Sequence, residues 1–242
     1  MINSVRNTVL AIINKNNYGY ISPSDFNLFA KQAQLDLFDE YFYSYNQQIN
    51  KENSRISGTG YADLKKGIEE VIDIFSVTQS LSQNANNIFF LPSASTTGSD
   101  YYLLNKVLCS TGGVYKGEAE KVGQSKITLL NSSILTAPSI TYPAYSQEAS
   151  SITIYPSTYN TFGDVQAQYI RYPEDPKWTF TSISNGDPIF DQSQPDFQDF
   201  ELPIDDGNDL VAKILQYAGI SIREGDVVKF GQMEEQIQNQ QQ

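Results

Sequence analysis

The amino-acid sequence predicts an α+β fold in which helices from both ends of the chain form one body and a β-rich domain is inserted between them. Near both ends, apolar residues recur at steps of three and four positions, which is the period of an amphipathic helix. The middle instead contains short apolar runs separated by Gly, Pro, Ser and Thr, which is typical of strands and turns. We therefore expect N-terminal helices over residues 1–76, a β-rich insertion ending in an acidic loop over 77–204, and C-terminal helices with a Gln-rich tail over 205–242.

Helices account for the whole N-terminal part in this prediction. The first is short and ends in the Asn-rich stretch that begins at Asn14. The second is long, because Ser22 offers an N-cap hydroxyl, Pro23 suits the first helical position, and apolar residues then repeat to about Lys51. A third helix is expected over 61–75 after a glycine-containing loop. The apolar face of the first helix comprises Val5, Val9, Ile12 and Ile13.

The inserted domain is expected to contain several strands and one short helix. The helix is expected over 122–135, because apolar residues there are spaced nearer to the helical period than to the strand period. Its apolar face would comprise Val122, Ile127, Leu130 and Ile134. The strands are expected at Asn87–Leu91, Tyr101–Leu108, Gly113–Glu118, Ser151–Tyr155 and Asp164–Tyr172.

The C-terminal part begins after a strongly acidic stretch. Residues 178–212 contain eight acids and no Lys or Arg, which indicates a solvated loop or an interaction arm. Residues 210–218 then carry the apolar face of a helix that should end at Gly219. A capping box at 221–224 predicts a last helix, and the glutamine-rich end from Gln236 onward is expected to be disordered until a partner orders it.

The composition argues against tight nucleic-acid binding and against most enzyme classes. A net charge of −12 does not suit a protein that grips phosphates, although an acidic wall would let nucleic acid pass without sticking. Because the chain has no histidine and a single cysteine, Ser-His-Asp catalysis, Cys-His catalysis, metal sites with His ligands and Cys-only zinc sites are excluded. We therefore expect no catalytic residue, no metal and no cofactor, and a chain that is not an enzyme.

Two acidic clusters admit a chemical alternative. Asp36, Asp39 and Glu40 could serve glycan cleavage, but their spacing places them on the polar, solvated face of the long helix. Residues 205–209 could bind calcium through their oxygens, but a cap and an acidic first turn for the following helix are favoured.

The sequence also bears on the cellular compartment. Cys109 has no partner within the chain, so folding in a reducing compartment is permitted. The N-terminus lacks the pattern of a secretion signal, and no apolar run approaches the length that spans a bilayer. We therefore expect synthesis in the cytoplasm and no membrane association.

Candidate contact residues are aromatic and apolar side chains near the end of the insertion and in the C-terminal tail. Aromatic residues with short polar neighbours form specific, hydrated contact surfaces in protein complexes. Trp178 could anchor such an interface or could instead fill the β core. The candidate interface residues are Tyr155, Tyr172, Trp178, Phe230, Met233 and Ile237.

Segments spread over most of the chain carry a family resemblance. They are Asn17–Asn27, Ile152–Pro156, Tyr169–Pro173, Pro176–Trp178, Leu215–Ile222 and the chain from Gln232 onward. These segments resemble structural proteins of crAss-like and related tailed bacteriophages. A helical body with a β insertion is also similar to the tail tubular adaptor of short-tailed phages.

The resemblance implies a virion protein, a ring or adaptor subunit of the head–tail connector in the neck or tail. Copies of such a subunit assemble below the portal into a dodecameric ring, with the portal protein and other tail ring proteins as partners. The ring continues the channel through which DNA leaves, without binding it specifically. No individual functional residue transfers, because such proteins work through surfaces.

Two alternatives stay open. Another virion component, such as a collar, fibre or decoration protein, would suit the Tyr-, Ser- and Thr-rich β region, although no repeat or trimeric coiled-coil pattern is visible. A glycan-binding or glycan-cleaving module is the alternative from the enzyme class.

Overall fold

A computed structural model describes residues 1–14, 20–53, 61–182 and 188–222. The chain divides into two compact units. Unit 1 combines Met1–Ile74 with the chain from Pro173 onward, and unit 2 is Phe75–Tyr172. The α+β class is confirmed, because helices lie towards both ends of the chain and the middle is rich in strands.

Helices and strands follow one another in the expected order. The helices are α1 (Ile2–Ile13), α2 (Pro23–Asn53), α3 (Tyr61–Asp73), α4 (Gln124–Asn131) and α5 (Gly207–Ile222). The strands are β1 (Ser76–Ser80), β2 (Gln83–Ala85), β3 (Ile88–Phe90), β4 (Tyr101–Thr111), β5 (Val114–Lys121), β6 (Ala144–Gln147), β7 (Ser151–Tyr155), β8 (Val165–Arg171), β9 (Phe180–Thr181) and β10 (Ile189–Phe190).

The two N-terminal helices form largely as their sequence signals predict. The Ser22 hydroxyl accepts the Asp25 backbone N–H at 3.2 Å and so caps α2, which ends close to the predicted residue. In α1, Ile12 does not belong to the buried face as predicted, because it is 37% exposed at the edge of that face. The buried apolar residues of α1 and α2 are Ile2, Val5, Val9, Ile13, Phe26, Ala30, Ala33, Leu37 and Phe38.

Helix α5 packs against α1 and α2 through the face that the sequence predicts. Its buried residues include Leu210, Ile214, Leu215 and Ala218. Gly219 was expected to terminate this helix, but the helix continues to Ile222. The predicted last helix and the Gln-rich tail lie outside the described residues, apart from the first two positions of the capping box, which belong to α5.

The segment that joins unit 2 to α5 packs with the helices, and not with the β-rich insertion as the predicted boundary at 204 implies. We call residues 173–206 the arm. It doubles back on itself through the pairing of β9 with β10 and a bridge between Lys177 and Gln198, so the described residues of the predicted solvated loop form an ordered segment. Phe200 and Leu202 are buried.

Trp178 is the centre of the contacts that hold the arm. Its indole N–H donates to Asn3 Oδ1 on α1 at 3.1 Å. The side-chain amide of Asn27 on α2 accepts the Trp178 backbone N–H at 2.8 Å and donates to the Trp178 carbonyl at 3.2 Å. The guanidinium carbon of Arg6 lies 3.7 Å from the centre of the indole ring, and Phe180 stacks on the same ring system at 5.7 Å. Trp178 thus connects the arm to both helices.

A second amide on α2 repeats this arrangement two turns further along. Gln34 donates to the Glu174 carbonyl at 2.8 Å and accepts the Glu201 backbone N–H at 3.1 Å. Asn27 and Gln34 are seven positions apart and therefore lie on the same face of the helix. Both amides satisfy backbone groups of an irregular segment, which would otherwise lose hydrogen bonds on burial.

Unit 2 is a curled sheet of eight strands with a main apolar core and a smaller one beneath α4. The strand order is β1-β8-β4-β5-β6-β7-β3-β2. Strands β5 and β6 run parallel, and α4 lies in the connection between them, because parallel neighbours need a crossover. The core residues include Leu81, Phe89, Val107, Cys109, Ile152, Ile154, Tyr159 and Tyr169.

The sequence located most of the strands of unit 2 but missed three. Ser151–Tyr155 is a strand with the predicted bounds, and the other predicted strands are present with shifted ends. Strands β1, β2 and β6 were missed, because their residues are mostly short and polar and lack a clear alternation. The predicted helix over 122–135 is shorter than expected, since α4 ends at Asn131.

Replacing Trp178 should destabilise unit 1 strongly. We expect Trp178→Ala to lower the free energy of unfolding by about 3–5 kcal/mol, because the substitution leaves a cavity and removes the side-chain contacts to Asn3 and Arg6 of α1, although the backbone bonds to α2 remain. Phe180→Ala should cost less, since Phe180 is 42% exposed. Urea unfolding followed by circular dichroism measures both. A cost below about 1 kcal/mol for Trp178→Ala would contradict this role.

Asp199 makes unit 1 sensitive to acid. Its carboxylate accepts the first backbone N–H of α1, from Ile2, at 2.7 Å, the Phe200 N–H at 2.8 Å and the Met1 amino group at 2.7 Å. Burial by itself raises the pKa of Asp199, but these hydrogen bonds outweigh it and lower the pKa. Asp199 therefore stabilises the fold above its unfolded-state pKa of about 3.9, and this contribution is lost as the pH falls through the lower folded-state pKa.

We expect Asp199→Asn to lower the free energy of unfolding by about 1 kcal/mol at pH 7, the typical value of a helix cap. The difference between wild type and variant should shrink as the pH falls below 4, because the wild-type carboxyl is then protonated too. Urea titrations at pH 7, 5 and 3 measure it. A gap that is the same at all three pH values would show that the carboxylate charge is irrelevant.

Candidate protein-interaction surfaces

The structure places the predicted interface residues in different environments. Trp178 is 2% exposed and packs inside unit 1, so its side chain neither presents an interface nor fills the β core, and both predictions for it are wrong. Tyr172 is 41% exposed and packs edge-on against Tyr102, with ring centres 5.2 Å apart. Tyr155 is half-buried against the small core beneath α4. Phe230, Met233 and Ile237 lie outside the described residues.

The acids of α2 hold α5 in place. Tyr217 donates to Asp36, and Lys213, whose side chain is 8% exposed, donates to Glu40 at 2.8 Å. The prediction of a purely solvated face is therefore wrong for these two acids. Asp39 is exposed, as expected, and its pKa is raised by partial burial and by the charge of Asp36.

An acid that precedes α5 also takes part in the contact between α2 and α5. Tyr41 of α2 donates to Asp206 Oδ2 at 2.6 Å. Burial, together with this bond and the neighbouring acids, raises the pKa of Tyr41 above its ordinary range. Burial also raises the pKa of Asp206, against the effect of the Tyr41 hydroxyl. Asp209 lies in the first turn of α5, where a negative charge is favourable. Within the described ranges, no group of three or more potential ligands could hold a metal ion.

The most unusual surface belongs to unit 2 and carries exposed aliphatic side chains. Residues 127–147, which we call the uncharged segment, contain no Asp, Glu, Lys or Arg over 21 positions. Within it Ile134 is 99% exposed, Leu135 is 94% exposed and Tyr142 is 79% exposed. Ile134 was predicted to lie on the apolar face of a helix. That prediction is wrong, because α4 ends before it.

Several contacts hold the backbone of the uncharged segment. Ile127 is buried with Val122 and Ala144 and anchors α4 on the sheet. The turn after α4 is closed by a hydrogen bond from Ala137 N–H to the Ser133 carbonyl at 3.0 Å. The backbone of the turn is therefore held in a conformation that leaves the side chains of Ile134 and Leu135 exposed. We call this pair the protrusion.

The end of the uncharged segment is fixed beside β5. The Tyr159 hydroxyl donates to the Ile140 carbonyl at 2.6 Å. A Cβ atom placed on Gly117 would lie 2.9 Å from the Thr141 carbonyl oxygen, so only glycine permits this close approach of the two backbones.

Unit 2 also contains a cleft of about 640 Å³. Its walls come from the end of β3, the loop before β4 and the turn between β6 and β7. Asp100 is the single charged residue of its lining, and its Oδ1 accepts the Ala94 N–H at 2.8 Å. Other lining residues are Leu91, Pro92, Tyr101, Tyr102 and Ala149. Tyr102 is the ring that Tyr172 contacts, so one predicted interface residue lies next to this cleft.

A smaller cleft of about 400 Å³ lies in unit 1 beside Trp178. Its lining includes Lys177 and Asp196, which form an ion pair, and the hydrogen bond from Lys177 lowers the pKa of Asp196. Its lining therefore carries two charged side chains, against one in the cleft of unit 2.

No protein-family model matches the chain, and no curated protein matches it. The resemblance to phage structural proteins therefore stays a prediction from the sequence. In the part of the chain that the structure describes, no helix is both long and apolar enough to cross a membrane.

The exposed surface of unit 2 was missed by sequence reasoning, although one signal for it was present. A run of 21 residues without a charge is unusual in a chain with 28 acids and 16 basic residues. The apolar residues inside that run were assigned to a helix face because of their spacing, and the spacing alone does not reveal which of them are exposed.

Gly117→Ala should disturb the uncharged segment. The added methyl group meets the Thr141 carbonyl, and overpacking of this kind costs about 1–3 kcal/mol. Gly67→Ala is the matched control, because its Cβ meets nothing within 4 Å and it lies inside α3, where alanine is favoured over glycine by about 1 kcal/mol. Thermal unfolding should rank Gly67→Ala above wild type and Gly117→Ala below it. Equal stability of Gly117→Ala and wild type would contradict the close approach.

Proposed function

We propose that the chain is a virion structural protein, a ring or adaptor subunit of a phage neck or tail that assembles below the portal and continues the DNA exit channel. The observation that supports this best is the protrusion on unit 2. Ile134 and Leu135 are almost fully exposed although backbone contacts hold the turn that carries them. Contiguous exposed apolar residues on an ordered surface mark sites of protein contact.

The charge of the chain supports an assembly that uses this surface. Copies that each carry a net charge of −12 repel one another. A close approach between them is therefore least unfavourable where their facing surfaces carry no charge. Interface cores are depleted of charged residues and enriched in aromatic ones, which describes the uncharged segment and the cleft of unit 2. Acidic surface elsewhere suits a channel that passes DNA without holding it.

Asp36 and Glu40 of α2, and Asp206 before α5, are hydrogen-bonded in the contact between these helices, which favours a structural role for them over glycan cleavage. We expect the partners to be further copies of the chain, twelve to a ring by the family resemblance, together with the portal protein and other ring proteins of the tail.

Imaging with the portal tests the proposal. The chain and the portal protein of the same phage are purified, mixed and examined by negative-stain electron microscopy. We expect rings coaxial with the portal. Because the portal can be needed to nucleate the ring, the chain alone serves as the comparison.

Three results would contradict the proposal. A chain that stays monomeric with the portal and with the other ring proteins is not an adaptor. Density away from the particle axis in cryo-EM would instead identify a collar, fibre or decoration protein. Hydrolysis of host polysaccharide that is lost on replacing a carboxylate pair would identify an enzyme.

A further inference from the structure

We infer that neighbouring copies join head to tail, with the protrusion of one copy inserted into the unit 2 cleft of the next. This inference rests on the proposed ring function and specifies the contact that closes the ring. The partner that fills the cleft is thus a second copy of this chain.

From the strand register we infer that the protrusion and the cleft lie towards opposite ends of the sheet. Thr111 pairs with Val114 at the β4–β5 hairpin, which defines one end. Gly117 lies three residues beyond that hairpin, and the uncharged segment passes beside it at Thr141. The connection from the end of α4 back to β6 therefore lies towards the hairpin end.

The cleft lies at the other end of the same sheet. Strand β4 begins there at Tyr101, and β6, which runs parallel to β5 and away from the hairpin, ends there at Gln147. The Gln147 side chain donates to the Tyr101 hydroxyl at 3.3 Å. Phe90 at the end of β3 pairs with Ser151 at the start of β7. These strand ends surround the cleft.

Two different surfaces at opposite ends of one unit can form a heterologous contact. Each copy then offers a protrusion to one neighbour and a cleft to the other, and such contacts produce a ring when the rotation between copies closes. A symmetric contact of protrusion with protrusion would leave every cleft empty and would stop at a dimer.

The chemistry of the two surfaces matches. The protrusion presents two aliphatic side chains, and the cleft offers the partly exposed rings of Phe90, Tyr101 and Tyr102, while Leu91 and Pro92 are buried in its wall. A volume of about 640 Å³ falls in the range of concave sites that enclose apolar groups. Residues 127–147 carry no charge, and the cleft lining carries only that of Asp100, which accepts a hydrogen bond from the Ala94 N–H. The contact therefore places no two acids against each other.

Disulfide trapping between two populations tests the contact. One population carries Leu135→Cys, and the other carries Ala149→Cys in the cleft together with an affinity tag that changes its size. They are mixed with the portal, oxidised with copper phenanthroline and separated on non-reducing gels. We expect a cross-linked pair that contains one chain of each kind, and much less product when either population is oxidised alone.

Cys109 provides the internal control for this experiment. It is fully buried, and burial raises the pKa of its thiol to about 12, so it stays protonated and out of reach of the oxidant. The wild-type chain should therefore remain uncross-linked under the same conditions.

Paired substitutions provide a second measurement. Ile134→Asp with Leu135→Asp should weaken self-association, measured by analytical ultracentrifugation with the portal, by about tenfold or more. Ile204→Asp is the matched control, because Ile204 is 85% exposed but lies in unit 1, and it should leave association unchanged. Both variants should keep the wild-type unfolding temperature.

The outcomes separate this contact from the proposed function. Cross-linking of Leu135→Cys chains with one another at the level of the mixture would show a symmetric contact and overturn the inference. Absence of any mixed pair while wild-type rings are visible would overturn it too and would leave the ring function intact. Absence of rings with wild-type chain and portal would overturn both.

Discussion

Trp178 connects the arm to α1 and α2, and this contact is what joins the C-terminal part of the chain to the N-terminal helices in unit 1. Its indole N–H, its backbone and its ring face are all used, by Asn3, Asn27 and Arg6 respectively. Stacking on the indole also gives the buried Arg6 guanidinium a favourable neighbour in a place where water is scarce. Once the arm is held in this way, α5 follows it directly and completes the helical unit that α1 and α2 begin.

In unit 2 the equivalent constraint is the parallel pairing of β5 with β6. Antiparallel neighbours can be joined by a tight turn, whereas this pair requires a crossover. The crossover uses α4 to cover the sheet through Ile127, and the chain then needs a further stretch to return to the start of β6. That stretch is the place where the protrusion forms, so the exposed apolar pair is a consequence of topology together with the absence of charge.

The helices were predictable because their signals are local. Ser22 and Pro23 begin α2, and the periodic apolar residues after them are the ones that the structure buries. The arm could not be predicted, because its contacts join residues far apart in sequence, such as Trp178 and Asn3, which are 175 positions apart. Ile134 shows the opposite error, since its spacing from Ile127 fits a buried helix face although the helix ends before it.

The two units use their polar groups differently, and the difference bears on assembly. In unit 1 the acids of α2 meet Lys213, Tyr217 and other donors, so much of the surface chemistry is satisfied within the subunit. In unit 2 the uncharged segment leaves Ile134 and Leu135 in water, where their apolar area contributes nothing to the stability of a single copy. A partner that covers them gains that area without having to desolvate a charge on the uncharged segment itself, and desolvating charges is a costly step in joining strongly acidic proteins. In the proposed ring, an acidic chain with an uncharged contact would therefore keep a repulsive surface towards DNA and still accept a close neighbour.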